Sequence, residues 1–280
     1  KLTKYPFAVN LFIPGGDNII AQEQIADMQN IMKRIYPELN IGNTIFKPED
    51  LPSFDDQLQV ILDENVPIFS FTFGELSAGY INELKKNKTI IIGTATNVSE
   101  ARILEDSGID IIVAQGAEAG GHRGTFAMPV EDSLIGLNAL ILQIVDNVKI
   151  PVVAAGGIMD ARSIKAVLNL GADAVQMGTA FLTTHESGIH AKYKEALLNT
   201  RADNTILTRS FSGKMARVIR NKFTTYMHDY EDAILDYPIQ NFVTQPMRQQ
   251  VAINNATEFL SMYAGQAAFL CHVGSVGELV

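Results

Sequence analysis

Six short apolar runs, mostly β-branched, recur along the first two-thirds of the chain. They are Phe7–Ile13, Val66–Phe73, Thr89–Thr94, Ile109–Ala114, Pro151–Ala155 and Ala174–Met177. Most lack polar alternation, the pattern of strands covered on both faces. Between them lie stretches with helical spacing. Leu134, Leu137, Ile141, Ile144 and Val145 form one stripe, and Ile164, Val167, Leu168 and Leu170 form another. Asp160 and Gly171 bracket the second as start and stop signals. Ser107-Gly108-Ile109-Asp110 and Leu170-Gly171-Ala172-Asp173 repeat one device, in which glycine ends a helix and the chain turns into a strand. The alternation predicts parallel βαβ units.

The pattern changes near Arg201. Segment 202–262 shows no clear strand run and is broken at Asp236-Tyr237-Pro238 and Gln245-Pro246. It reads as a small, mainly helical subdomain appended to the α/β body. Residues 1–201 then form the α/β body, and 263–280 form a segment returning to it.

Composition narrows the class. The 280 residues are 47% hydrophobic, with 21 Gly and 10 Pro, which excludes disordered and collagen-like chains. The formal net charge is −9 and no Lys/Arg run exceeds two, so no basic footprint for nucleic acid is present. No apolar run approaches the roughly 20 residues that span a bilayer. A lone Cys271 gives no internal disulfide and no cysteine-rich zinc site. The expected location is cytoplasmic.

Candidate chemistry lies at strand ends. Val153-Ala154-Ala155-Gly156-Gly157-Ile158 and Val175-Gln176-Met177-Gly178-Thr179 are glycine turns after successive strands and before helical stretches. Backbone N–H groups exposed there, aimed with a helix N-terminus, bind phosphate without a cation. In (β/α)₈ barrels such a site follows strands seven and eight. On that reading the first visible strand is the third. About two βα units are then expected upstream of Lys1, in keeping with a chain that does not open on Met. No dinucleotide or Walker pattern is present.

A second constellation is Gln115-Gly116-Ala117-Glu118-Ala119-Gly120-Gly121-His122-Arg123-Gly124. It starts at a strand end, and its small residues leave His122 room to project into a pocket. An unperturbed imidazole, near pKa 6.5, suits proton abstraction from a carbon acid. Asn10 interrupts the first apolar run; if buried, it needs partners and faces a ligand. Ser70, Thr72 and Thr94 read better as packing residues.

These residues resemble the nitronate monooxygenase family, formerly called 2-nitropropane dioxygenases. The resemblance rests on AQGAEAGGHRG (114–124), PVVAAGGIMDARSIKAVLNLGADAVQMGTAFLT (151–183), FSGKMAR (211–217) and YAGQA (263–267), and it runs from Phe7 to about Ala268. It implies an FMN-binding (β/α)₈ TIM barrel with a helical substrate domain. It also implies oxidation of nitronates or nitroalkanes by O₂ to carbonyl compounds and nitrite. By this resemblance His122 matches the catalytic base and also fits stabilisation of the anion as an imidazolium. Asn10, Gln115, Gly120, Gly156, Gly157, Gln176, Met177, Gly178 and Thr179 match FMN-contacting positions. The family's opening Pro-(Ile/Val)-Ile-Gln strand is not seen, in line with the strand count. A small nitro compound and O₂ are the expected partners, with a homodimer left open.

The nearest rival is an FMN-dependent enoyl-acyl carrier protein reductase, which has a similar Glu-Ala-Gly-Gly-His loop. Tyr263-Ala264-Gly265-Gln266 and Ala114-Gln115-Gly116 are closer to the nitronate monooxygenases. A non-catalytic flavin barrel is a third reading. A phosphosugar isomerase ranks lower, because Glu118 is the only carboxylate in the loop.

Overall fold

In the computed structural model, residues 3, 5–14, 21–39, 41 and 53–280 are described. The strands among them are β1 (Ala8–Phe12), β2 (Ile68–Thr72), β3 (Ile90–Ala95), β4 (Ile111–Gln115), β5 (Gly121–His122), β6 (Val152–Ala155), β7 (Ala174–Gln176), β8 (Thr205–Thr208) and β9 (Ala216–Ile219). Every apolar run read from the sequence is a strand. Together they make one parallel sheet in the order β1-β2-β3-β4-β6-β7. No described pairing joins β1 to β7. The register places Gln115, Ala155 and Gln176 in one row across the last three strands.

Helices fill the connections, and four of them have side-chain caps at their starts. Ser53, Ser77, Asn97 and Asp160 accept backbone N–H bonds at the starts of helices Phe54–Asp63, Ala78–Lys86, Val98–Ser107 and Ala161–Asn169. Gly108 and Gly171 sit at φ +89° and +102° just past the last two, as their spacing predicts. Phe69, Phe71, Ile91, Leu104, Ile112 and Leu140 are fully buried between sheet and helices.

Three details differ from the sequence reading. β1 and β7 expose alternate residues, since each ends the sheet; only the inner strands are covered on both faces. Leu134 lies outside helix Leu137–Val145 and is exposed. Leu168 is also exposed, so its helix buries only Val167.

This sheet and its helices form one compact unit, 1–15, 52–118 and 123–176. A second unit gathers the described residues of 16–51 together with Ala119–His122 and Met177–Val280. Its core is Met28, Met32, Val218, Phe223, Met227, Met247 and Val251. The division at 201 and 262 is therefore not the structural one. Nor is segment 202–262 merely helical, because β8 and β9 pair antiparallel and β5 adds to β9. These strands have two to four residues and carry Thr, Arg and His, too short and too polar to register as apolar runs. No helix among the described residues is long and apolar enough to cross a membrane.

Candidate functional site

In the second unit the chain brings four separated motifs around His122. The residue sits in β5, opposite Ala216 of β9, so it is held in a sheet rather than projecting from a free glycine loop. Its Nε2 lies 2.7 Å from the Ser212 hydroxyl. The Tyr263 ring is 5.3 Å away, centroid to centroid. Gly120 abuts the same segment: a Cβ there would lie 2.5 Å from the Gly265 nitrogen and 2.6 Å from the Ala264 carbonyl carbon. Gly265 N–H in turn donates to Thr179 Oγ1 at 3.0 Å. The AGGH, QMGT, FSGK and YAGQ motifs thus meet in one place.

The closeness at Gly120 involves backbone on both sides and cannot be relieved by a rotamer. Gly120→Ala is expected to cost about 2–3 kcal/mol by overpacking. A thermal unfolding scan checks this, and an unchanged Tm would mean that 264–265 yields freely.

The electrostatics depart from an unperturbed imidazole. Burial, followed by the Arg248 and Lys214 cations, pushes His122 down to about 4. Its proton affinity in the folded protein is thus well below that of a free imidazole. Tyr263 keeps its proton, because burial raises its phenol. Burial also lowers the Lys214 ammonium and the Arg248 guanidinium. Arg248 donates to the Asn241 carbonyl at 2.6 Å and to Asn241 Oδ1 at 2.9 Å, which fixes the guanidinium in place. A neutral base beside two half-buried cations is suited to a substrate that is, or becomes, an anion.

The same shift sets a pH dependence of stability. Between pH 6.5 and 4 the unfolded chain binds a proton at His122 that the folded chain refuses. The stabilisation is complete above pH 6.5 and is lost as the pH falls through 4. His122→Asn is expected to flatten the acid decline of Tm over that window, and parallel wild-type and variant curves would contradict it.

In the sheet unit the candidates collect at the C-terminal strand ends. Gln115 closes β4, and its Oε1 accepts from Gly124 N–H at 2.8 Å and from Arg123 at 3.1 Å. Arg123 is 2% exposed and donates to the carbonyls of Gln115, Gly116 and Ser133. It braces this loop from inside. Glu118, the only carboxylate in the loop, accepts from Leu137 N–H at 3.0 Å and caps helix Leu137–Val145, which starts on a glycine. Thr72 and Thr94 pack together against Gly124, as expected. Arg217, in β9 of the second unit, is buried and reaches Thr205, an anchoring role.

Asn10 is not buried. It is exposed in the middle of β1, with Ser70 of β2 donating to its Oδ1 at 2.9 Å. Its position in an end strand explains the exposure. Gly156 and Gly157 follow β6 at φ +126° and +66°, a left-handed pair closed to side-chained residues. Gln176 ends β7 and is exposed; Met177 is half-buried and Gly178 exposed. A Cβ at Gly178 would meet nothing within 4 Å. The helix starts contribute less than the sequence implies. Asp160 already occupies the Arg162 and Ser163 amides of helix Ala161–Asn169. The helix after Gly178 is one turn, Thr179–Leu182.

Glu100 and Ser212 escaped the sequence reading. Glu100 is fully buried and accepts from Thr96, Thr125, Phe126 and Ala127. Its signal was Asn97-x-x-Glu100, a helix-start pattern. Ser212 lies within the FSGKMAR motif, but nothing in the sequence points it at His122.

The described residues thus form a parallel α/β unit and a second unit that carries His122. A family model for nitronate monooxygenase matches residues 1–280. The chain is 44% identical to a probable nitronate monooxygenase of Staphylococcus haemolyticus (strain JCSC1435), over 100% of this chain and 78% of that protein. Among solved structures it is similar to nitroalkane oxidase from Streptomyces ansochromogenes. There the TM-score is 0.87 and the identity 37%, covering 99% of this chain and 79% of the other. FabK from Thermotoga maritima gives a TM-score of 0.71 at 29% identity, covering 99% and 74%. The chain belongs to the nitronate monooxygenase family.

Proposed function

We propose that the protein is an FMN-dependent oxidoreductase converting nitronates and nitroalkanes, with O₂, to carbonyl compounds and nitrite. The observation that carries this is His122, held in its strand against Ser212 and Tyr263, with burial and the Arg248 and Lys214 cations lowering its basicity. A nitroalkane carbon acid gives its proton to the imidazole, and the resulting nitronate is favoured by the cations. A nitronate arrives already charged and needs no base. When bound, FMN supplies the electron transfer between substrate and O₂.

The residues present fit such a group. In the sheet unit the left-handed Gly156-Gly157 pair exposes backbone of the kind that binds a phosphate, and in the second unit no side chain fills the space at Gly178. Gly156, Gly157, Gly178 and Thr179 are assigned to the phosphate. Asn10, Gln115, Gly120, Gln176 and Met177 are assigned to the rest of the flavin, and His122 to the substrate. Gly120 would act through its backbone, since the 264–265 chain already accounts for its missing side chain.

The six sequential parallel strands fit consecutive strands of a (β/α)₈ barrel, with the phosphate turns on the last two. A lone cysteine fits the cytoplasm. The test is spectroscopic. Purified protein should show flavin absorbance that propionate 3-nitronate bleaches anaerobically. Bleaching by NADH alone, followed by reduction of a crotonyl thioester, would overturn the assignment in favour of an enoyl reductase.

A further inference from the structure

Arg248 lies in helix Gln245–Asn254, in the unit that carries His122, and is half-buried. A guanidinium has five N–H donors. Nε–H donates to Thr244 Oγ1 at 3.3 Å, and Nη2 donates to the Asn241 carbonyl at 2.6 Å and to Asn241 Oδ1 at 2.9 Å. The N–H groups of Nη1 have no partner among the described residues, and no carboxylate there pairs with the cation. Arg209 of the same unit shows the usual arrangement, with Asp236 Oδ1 2.7 Å from its Nη2. A cation drawn out of water without a counterion is costly, and an anion that meets it offsets that cost.

The place of Arg248 in the unit bears on which anion that is. Thr244 is fully buried and joins the guanidinium to the surroundings of His122. Its Oγ1 accepts from Arg248 and donates to the Phe211 carbonyl at 2.6 Å, one residue before Ser212. Gln240, also fully buried, donates to the Ser210 carbonyl at 2.9 Å. The start of the helix and the loop bearing Ser212 are thus tied at two points. Arg248 makes no hydrogen bond to His122, Ser212 or Tyr263, yet its charge is felt at the imidazole. A nitro substrate has two places for an anion to meet this cation: the nitronate oxygens, or a carboxylate further along the molecule. Oxidation withdraws charge from the nitronate, so a cation bonded there favours the ground state and works against the step. A carboxylate keeps its charge from binding to release, and the contact with it lowers KM without raising the barrier.

We propose that Arg248 is a specificity-determining residue whose Nη1 binds a carboxylate on the substrate, which makes nitronates and nitroalkanes bearing a carboxylate the preferred class. This rests on the reading of the His122 site as the place where the nitro compound binds. The bonds to Asn241 and Thr244 fix the guanidinium in advance, so little side-chain freedom is lost on binding.

The test compares two substrates on the purified flavin-loaded protein. Propionate 3-nitronate and propane 1-nitronate differ only by a carboxylate in place of a methyl group. Arg248→Met is expected to lower the ratio of their kcat/KM values about 10- to 100-fold, mainly through KM for propionate 3-nitronate. Arg248→Lys, which keeps the charge, should recover part of the ratio. A merely structural role, or contact with the nitronate oxygens, lowers both substrates alike, so an unchanged ratio overturns the proposal. If Arg248→Met fails to fold, Arg248→Lys carries the comparison, with a smaller fall in the ratio expected and an unchanged ratio contrary. Calorimetric titration with succinate, an unreactive dianion of matching length, gives a readout free of turnover. Binding about 10- to 100-fold weaker in Arg248→Met is expected, and equal behaviour of the two proteins overturns the proposal. If the protein turned over no nitro compound, the activity reading would fall, while the succinate titration would still decide the role of Arg248.

Discussion

With 2-nitropropane as substrate, His122→Ala is expected to lower kcat/KM by about 10²- to 10⁴-fold, the range of a lost general base. With propionate 3-nitronate, which carries its charge on arrival, the loss should stay within about tenfold. The split follows from the environment of the residue. Burial and two cations keep the imidazole neutral, so it accepts a proton readily only as the anion forms beside it. Initial rates with both substrates, measured at one pH near neutrality, check this. Equal losses with both would mean that His122 mainly binds or orients the substrate. No loss with either would remove it from the site.

Glu100→Ala is expected to destabilise the protein by about 3–5 kcal/mol, through buried donors left without an acceptor. The carboxylate closes a polar knot inside the sheet unit. Oε2 accepts from Thr96 N–H and Thr96 Oγ1, each at 2.7 Å. Oε1 accepts from Thr125 Oγ1 at 2.7 Å, Phe126 N–H at 2.7 Å and Ala127 N–H at 3.1 Å. Alanine strands three backbone or hydroxyl donors on 125–127 and two on Thr96. In a chain of this size the loss corresponds to a fall in Tm of about 10 °C. Glu100→Gln should also cost stability, since one oxygen becomes an NH₂ group facing donors. Thermal and urea unfolding measure both variants. A change below about 1 kcal/mol for alanine would show that the 125–127 segment re-pairs with water.

The sheet was legible because its strands are long enough and apolar enough to show against the background. Val66–Phe73 and Ile109–Ala114 could hardly be anything else, and Asp160 with Gly171 marked one helix at both ends. The second unit was not legible. Gly121–His122 is two residues of sheet inside a glycine-rich stretch, and its partner Ala216–Ile219 carries an arginine. The unit also draws on chain from three separate regions, which no linear boundary captures. At the site, residue types pointed to His122 and to the glycine turns. The surroundings of His122 came from residues 90 (Ser212) to 141 (Tyr263) positions away in sequence. The low basicity of the imidazole is a property of that assembly, and neither spacing nor composition encodes it. Glycines invite one further misreading: Gly116, Gly120 and Gly124 lack side chains because Leu137, the 264–265 backbone and Thr94 crowd them.

Nitrite release during aerobic turnover tests the central claim most directly. Purified protein with its flavin bound, given propionate 3-nitronate in air-saturated buffer, should consume O₂ and release nitrite in proportion to the nitronate lost. Flavin-loaded protein that leaves the nitronate untouched, consuming no O₂ and forming no nitrite, would contradict it.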